Sequence, residues 1–518
     1  MNPTTEGVAM TETKQTIEPK LSTRFRKIVT GGSHKTILGA LLWLTGIALG
    51  AAEKPNILII LSDDYGYGSA GCYGAASNLV RTPNLDRLAK EGRRFTDAST
   101  TSSVCSPTRY SLVTGRYCWR TSLKSGVLAT TAPLHIETDR PTLASLLKQQ
   151  GYQTAAIGKW HLGYGSAARV DYTQELKPGP QEIGFDYHFA VPQNHGDASG
   201  VFVENHRVVG LRSNRIIPQP TNTYYGGPFL GLDAPQRDDP EVMETLTEKC
   251  VSWIQKRDKN NPFFLYFTPV AIHEPVTPSK RTAGSSAAGP YGDWIHELDR
   301  SVGRMLDCLD RERVASNTLV LFTSDNGGVI RADPASKKLP GLVHQAQTAG
   351  LKICGDLRGG KHDHWEGGFR VPYLVRWPGK VPAGSVCTEM ISVVDTFATL
   401  AALTGAPLPA TGKGPEDSVN VLPAWLGTPH PPVRQNLITH SAPGVFSLRK
   451  GPWKYIEGKP AAGLAGKGKK KAGPAQPAPQ LYNLAEDPAE TKDLAALQPE
   501  VLKRLAQQLE TLRSRPQP

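Results

Sequence analysis

Four short apolar segments of this chain each end in a cluster of polar residues, and helix-like segments stand between them. Continuously apolar segments of this kind are typical of strands that are buried on both faces of a parallel sheet. The apolar segments and the polar residues that follow them are 55–61 before Ser62-Asp63-Asp64, 154–157 before Gly158-Lys159-Trp160-His161, 263–272 before His273, and 318–323 before Ser324-Asp325-Asn326. The helix-like segments lie at 142–150, 241–256 and 294–310.

This alternation predicts an α/β fold with a large, mixed and mostly parallel sheet sandwiched by helices. Ligands of such sheets bind beyond the carboxyl ends of the strands. We therefore expect the polar clusters to converge on one edge of the sheet.

The last part of the chain predicts a smaller unit. Segments 447–456 and 480–484 are typical of the strands of a short antiparallel sheet, and 499–513 is typical of an amphipathic helix. Between them, residues 458–479 are rich in Lys, Gly, Pro and Ala, and we expect a disordered loop there. We divide the chain into an extension at 1–52, a large α/β domain at 53–425 and a C-terminal α+β subdomain at 426–518.

The extension at 1–52 has the pattern of an export signal. Basic residues between 24 and 35 precede an apolar run at 37–50, and the small residues Ala51 and Ala52 follow. We expect cleavage near Ala52, a secreted or periplasmic mature protein, and no stable membrane span. The alternative is a retained membrane anchor, for which the apolar run is short.

Charge and cysteine content narrow the possible partners. A formal net charge of +12 is compatible with nucleic acid, a membrane surface or an acidic substrate. No nucleic-acid-binding motif is present, so we expect no nucleic-acid partner. No two of the seven cysteines have C-x-x-C spacing, which argues against a structural zinc site, and the sequence does not determine how they pair.

The sharpest local motif is C-S-P-T-R at 105–109, followed by L-V-T-G at 112–115. A cysteine that opens a helix ahead of Pro107 lies at the positive end of the helix dipole. On a helix, Arg109 shares a face with Cys105. By this pattern alone, a buried structural cysteine remains the simpler interpretation.

With three further blocks, the motif resembles the signatures of the type I sulfatases, the arylsulfatase-like enzymes of the alkaline phosphatase superfamily. The resemblance extends from about residue 54 to 493, with its blocks in the family's order. It implies an alkaline phosphatase-like fold and hydrolysis of sulfate esters, of sulfated carbohydrates or small aryl sulfates. The further blocks are G-Y-Q-T-A-A-I-G-K-W-H at 151–161, S-D-N-G-G at 324–328, and Gly360-Lys361 followed by W-E-G-G at 365–368. The early Asp63-Asp64 pair after a strand completes the family order.

The resemblance also implies that Cys105 is oxidised to formylglycine (3-oxoalanine) by a dedicated maturase. The hydrated aldehyde carries two hydroxyls. One attacks sulfur and expels the alcohol, and the other loses its proton as the carbonyl re-forms and sulfate departs.

By the same resemblance, each site residue has an expected role. The metal ligands are Asp63, Asp64, Asp325 and Asn326 together with the oxygen at position 105, and they bind Ca²⁺, although the residue types also allow Mg²⁺. Arg109 and Lys159 hold the formylglycine hydroxylate, and His161 takes the second proton. His273 and Lys361 contact the sulfate and protonate the leaving oxygen. Asn194 is a further sulfate contact.

Two other functions remain open at this point. A phosphate or phosphonate monoester hydrolase can share the same fold, although two-metal phosphatases need more Asp and His ligands. An inactive, sulfatase-like binding protein is the second alternative. For the sulfatase interpretation, we expect substrate specificity to reside in loops such as 192–231 and 331–350.

Overall fold

The computed structural model describes residues 54–409, 412–458 and 478–514. The predicted export signal at 1–52 and the predicted disordered loop, apart from its ends, lie outside the described residues.

Strands and helices alternate along the described part of the chain. The strands are β1 (Asn56–Ser62), β2 (Arg93–Phe95), β3 (Ala98–Ser99), β4 (Gln153–Lys159), β5 (Tyr187–Val191), β6 (Val203–Glu204), β7 (Arg207–Val208), β8 (Phe263–Thr268), β9 (Thr318–Ser324), β10 (Tyr373–Arg376), β11 (Ser385–Cys387), β12 (Ile391–Ser392), β13 (Asn436–His440), β14 (Phe446–Lys450), β15 (Trp453–Ile456) and β16 (Gln480–Asn483). The helices are α1 (Pro83–Glu91), α2 (Cys105–Thr114), α3 (Leu143–Gln149), α4 (Val242–Lys256), α5 (Gly289–Arg311), α6 (Leu339–Thr348), α7 (Glu366–Phe369), α8 (Thr396–Thr404), α9 (Leu422–Leu426) and α10 (Pro499–Ser514).

Ten strands form the main sheet, in the order β11-β2-β10-β9-β1-β8-β4-β5-β6-β7. The five central strands, from β9 to β5, are all parallel, while β10 and β6 join this block in the antiparallel direction. The predicted α/β class with a mixed, mostly parallel sheet is confirmed.

Helices cover both faces of this sheet because its strands are apolar on both sides. In β1, Ile57, Ile59 and Leu61 join a core with side chains from α2, α3 and α8. The alternate residues Leu58 and Ile60 join a second core with α1, α4 and α5. The period-2 alternation of a strand therefore supplies both cores from one apolar segment.

A second sheet lies near the C-terminus. It has the antiparallel order β13-β14-β15-β16, and α10 packs on it through Leu505 and Leu509. The predicted small antiparallel sheet is therefore confirmed. Among the described residues, no helix combines the length and apolar character needed to cross a bilayer.

Two strand predictions differ from the structure in their bounds. The segment 263–272 stays a strand only to Thr268, because Pro269 has no N–H to continue the ladder. The segment 447–456 is a hairpin of two strands, with Gly451 at a φ of 56° in the turn between them. All seven cysteines lie in the described part of the chain, and all are free thiols.

Candidate active site

The polar clusters meet at the carboxyl ends of four adjacent strands. Asp63 and Asp64 follow β1, Asp325 follows β9, and His273 follows β8. Lys159 is the last residue of β4. Because β9, β1, β8 and β4 are consecutive and parallel in the sheet, their ends deliver these side chains to one place. The predicted convergence is therefore observed.

Cys105 is the first residue of α2 and is only 2% exposed. Its Sγ lies 3.3 Å from Lys159 Nζ and 3.8 Å from Asp63 Oδ1. Burial raises the pKa of this thiol to about 12, against the opposing attraction of Lys159 and Lys361. The thiol is therefore protonated at neutral pH, and a cysteine in this state is a poor nucleophile.

Three carboxylates and an amide surround this position. The N–H of Asp64 donates to Asp325 Oδ1 at 3.2 Å, and Asn326 Nδ2 donates to Asp64 Oδ1 at 2.8 Å. The backbone of Asp64 has a φ of 59°, a left-handed conformation that Asp tolerates better than most residues. Ligand atoms of Asp63, Asp64, Cys105 and His273 all lie within 4.8 Å of one another.

These residues fit a divalent cation. Asp63, Asp64 and Asp325 are 0%, 2% and 0% exposed, and carboxylates buried so close together need positive charge nearby. Burial raises the pKa of Asp63 to about 7 despite the attraction of Lys159. The Oδ1 of Asn326 is buried without a hydrogen-bond partner. Carboxylate and amide oxygens are the ligands that Ca²⁺ and Mg²⁺ prefer.

Arg109 holds two of the carboxylates in place from the next turn of α2. It is fully buried and donates to Asp325 Oδ2 from Nε at 2.9 Å and from Nη2 at 2.7 Å. Its Nη2 also lies 3.7 Å from Asp63 Oδ1, and its Nη1 donates to the carbonyl of Lys159 at 3.0 Å. Burial lowers the pKa of Arg109, but attraction to Asp325 and Asp63 outweighs burial and raises it, so the guanidinium stays charged.

Two lysines complete the positive side of the cluster. Lys159 Nζ lies 2.6 Å from Asp63 Oδ2, and Lys361 Nζ lies 2.7 Å from Asp64 Oδ2. Burial raises the pKa of Asp64, but Lys361 outweighs burial and holds the pKa below its usual value. Three buried cations therefore face three buried carboxylates around Cys105.

Two Gly-Gly motifs bring Lys361 to the cluster. Gly327 donates its N–H to Gly368 O at 3.0 Å, and a Cβ on Gly327 would lie 1.8 Å from Gly367 O. Only glycine allows this approach of two backbones. In the same pair of loops, Lys361 N donates to Gly328 O at 2.9 Å. The S-D-N-G-G segment therefore packs against the loop that carries Lys361, in addition to forming a turn.

The two predicted histidines each have one nitrogen fixed by a carbonyl. His161 Nε2 lies 3.1 Å from Leu128 O, and His273 Nδ1 lies 2.7 Å from Glu274 O. A carbonyl only accepts, so these nitrogens carry the protons. That leaves His161 Nδ1 as a bare acceptor, buried without a partner, and His273 Nε2 bare at 3.8 Å from Asp64 Oδ2. Burial lowers the pKa of both rings, which favours neutral imidazole.

Asn194 is less well integrated than the other predicted residues. Its Oδ1 is buried without a partner. Within the described residues, neither Asn194 nor His161 donates to or accepts from a side chain of the carboxylate cluster. A contact of Asn194 with sulfate remains a prediction.

Sequence reasoning missed two groups beside the site. Tyr224 and Tyr225 lie against Glu274, the residue after His273. Glu366, five residues after Lys361, forms an ion pair with the buried Lys454 of β15. The paired tyrosines before Gly226 were a visible signal in the specificity loop, whereas nothing in the sequence links residues 366 and 454.

Known proteins are similar to this chain along most of its length. A family model described as Sulfatase matches residues 55–406. An N-acetylgalactosamine-6-O-sulfatase of Bacteroides thetaiotaomicron is 36% identical over 498 residues, which is 90% of this chain and 94% of the relative. Human arylsulfatase A is 33% identical over 497 residues, covering 90% and 89% of the two chains.

A solved structure gives the same picture. It comes from work on the metabolism of multiple glycosaminoglycans by Bacteroides thetaiotaomicron. The two structures are similar with a TM-score of 0.80 at 35% sequence identity, over 90% of this chain and 100% of that one.

Proposed function

This chain belongs to the sulfatase family, and from that premise we propose that it hydrolyses sulfate esters of carbohydrates with a formylglycine made from Cys105. The family resemblance of the motifs is confirmed, and the chain is a sulfuric ester hydrolase. The observation that carries the proposal is the set of three carboxylates and three cations buried around Cys105 at the edge of the sheet. We further propose residues 53–425 as the catalytic domain and 426–518 as the C-terminal subdomain.

For the substrate, we propose the 6-O-sulfate of N-acetylgalactosamine in a sulfated glycan. Support comes from the relative with 36% identity, which carries the name of that activity and matches along nearly its whole length. The three buried cations of the site suit a sulfate group.

Asp63, Asp64, Asp325 and Asn326 would hold the cation, for which we propose Ca²⁺. A cation bound there neutralises sulfate charge and lowers the pKa of a hydroxyl next to it. Arg109 keeps Asp325 oriented through its two hydrogen bonds to that carboxylate.

The remaining side chains handle protons and charge. Lys159, 3.3 Å from the Cys105 sulfur, stabilises negative charge that develops on an oxygen at that position. The bare Nδ1 of His161 accepts the second hydroxyl proton. Lys361 contacts the sulfate oxygens together with His273, and of this pair Lys361 carries the proton in the resting protein.

Burial restricts when Cys105 can be modified. Its side chain lies inside the folded protein at 2% exposure, so a maturase must reach it before folding is complete. We propose that maturation precedes export, and that the mature protein is secreted or periplasmic.

A substrate panel tests the proposal. Protein matured in its native host is assayed on sulfated saccharides, aryl sulfates and the matching phosphate and phosphonate esters, with Cys105→Ala as the blank. We expect kcat/KM for the preferred sulfate ester to exceed that for the matching phosphate by about 100-fold or more. A preference for phosphate or phosphonate would refute the sulfatase assignment, and an inert protein with an intact thiol at 105 would favour the binding-protein alternative.

Chelation gives a second prediction. Removing the divalent cation should abolish turnover and lower the Tm, because the three buried carboxylates lose a charge partner that binds only the folded state. Adding back Ca²⁺ or Mg²⁺ separately, with activity and Tm as readouts, identifies the ion. Asp325→Asn should remove the dependence of the Tm on the ion. If chelator leaves the Tm of the unsubstituted protein unchanged, the proposed metal site is contradicted.

A further inference from the structure

Tyr225 presents an aromatic ring to solvent in the predicted specificity loop. Within the residues described, it is the only aromatic residue with a large exposed surface, at 48%. A single exposed hydrophobic residue needs no explanation in itself. Whether Tyr225 has a function is therefore decided by where its ring lies.

The hydroxyl of Tyr225 is linked to the active site through one backbone carbonyl oxygen. It donates a long hydrogen bond of 3.5 Å to the carbonyl oxygen of Glu274. The same oxygen accepts from His273 Nδ1 at 2.7 Å, and His273 Nε2 lies 3.8 Å from Asp64 Oδ2. Tyr225 and a predicted sulfate-binding histidine therefore share one acceptor.

The electrostatic surroundings of Tyr225 agree with this location. Burial of its hydroxyl raises the pKa of the phenol, the Glu274 carboxylate adds to the rise, and Lys361 opposes it. The hydroxyl is therefore within the field of the cluster, although 48% of the residue is exposed.

Contacts of the neighbouring Tyr224 and of the turn at 223–227 hold the ring of Tyr225 in place. The ring of Tyr224 stands perpendicular to that of Tyr225, with centroids 5.2 Å apart. Tyr224 OH donates to Glu274 Oε2 at 3.0 Å and accepts from Leu339 N at 3.1 Å. The turn that carries both rings is closed by Thr223 N donating to Gly227 O at 2.8 Å. The two tyrosines therefore lose little conformational entropy when a ligand packs against them.

We propose that Tyr225 determines substrate specificity by packing its exposed ring face against the sugar ring that carries the sulfate ester. The inference rests on the proposed function, and extends it from the sulfate group to the sugar. A pyranose offers a face of C–H groups, and a flat aromatic ring beside a charged pocket is a common way to bind an apolar face next to a polar group. The Glu274 carboxylate already accepts a hydrogen bond from Tyr224. The ring of Tyr225 is therefore the group of this pair of tyrosines that remains available to a sugar.

Kinetics of Tyr225→Ala test the proposal. With the preferred sulfated saccharide, we expect KM to rise about tenfold and kcat to stay within about twofold, because the lost contact acts on binding. The inhibition constant of inorganic sulfate should stay within about twofold, since sulfate alone needs only the charged cluster. Tyr225→Phe keeps the ring and should keep KM within about twofold. Ile216→Ala removes another exposed hydrophobic side chain of the same loop, at 60% exposure against 48% for Tyr225, and as the control it should change neither constant.

Three results would overturn the role of Tyr225 while leaving the enzyme a sulfatase. They are an unchanged KM in Tyr225→Ala, an equal loss in Tyr225→Phe, and a weaker sulfate inhibition in step with KM. If the unsubstituted protein turns over aryl sulfates but no sulfated saccharide, the proposed glycan substrate is wrong. The proposed packing of Tyr225 against a sugar ring is then refuted as well. Because Tyr225 is half exposed, its truncation costs little stability, which a Tm measurement checks.

Discussion

Cys105→Ala is expected to lower kcat/KM on the preferred sulfate ester by at least about 10⁴-fold while the protein stays folded. An alanine methyl has no oxygen to attack sulfur. The fold should persist because the thiol makes only one short polar contact, at 3.3 Å from Lys159, while Arg109 and Asp325 keep their own hydrogen bonds. Initial rates and a thermal unfolding curve, both on protein from the native host, give the two readouts.

Cys118→Ala is the matched control for this variant. Cys118 is 1% exposed, and burial raises its pKa to about 12, as it does for Cys105. Its sulfur contacts Thr121 and Leu123 instead of the carboxylate cluster. Cys118→Ala should cost some stability and leave turnover within about twofold. If Cys105→Ala retains more than about a tenth of the activity, the nucleophile is another group.

The position of the active site was predictable because it depends on strand order and strand ends. Four apolar segments too short and too apolar for surface helices had to be buried strands, and buried parallel strands deliver their following residues to one edge. Asp63, Lys159, His273 and Asp325 accordingly meet around Cys105. The strand after α4 was predicted too long because hydrophobicity continues past Thr268, whereas the ladder stops at Pro269, which lacks the donor.

The support around the site was not predictable, because it consists of single contacts between distant residues. Glu366 was visible only as part of the W-E-G-G motif, and its partner Lys454 lies in the C-terminal sheet, nearly ninety residues later. Tyr225 was inside a loop whose path the sequence does not determine, so its link to His273 through one carbonyl could not be foreseen. Periodicity reports which face of an element is buried, but not which buried charge meets which.

The pairing of Glu366 with Lys454 connects the C-terminal sheet to the loop that carries Lys361. Lys454 Nζ lies 3.0 Å from Glu366 Oε1 and 2.8 Å from Glu490 Oε1, and all three side chains are at most 1% exposed. Arg370 donates to Glu366 Oε2 from Nε at 2.9 Å. Burial raises the pKa of Glu366, but Lys454 and the arginines outweigh burial and hold it well below its usual value, so the carboxylate is charged. The ammonium group of Lys454 therefore lies between two buried carboxyl groups, those of Glu366 and Glu490.

Lys454→Met should destabilise the protein by about 3–5 kcal/mol, because it preserves side-chain length and leaves Glu366 and Glu490 buried with too little positive charge. The expected readouts are a lower denaturant midpoint and a Tm lower by about 5 °C or more. Turnover should fall as well, since Glu366 begins the helix that follows the Lys361 loop. Lys450 lies on the neighbouring strand at an exposed position, and within the described residues its side chain bonds to Gln508 alone. Lys450→Met should therefore change stability by less than about 0.5 kcal/mol. If the two variants unfold alike, the buried cluster contributes no more than a surface lysine, and the C-terminal sheet does not stabilise the Lys361 loop through it.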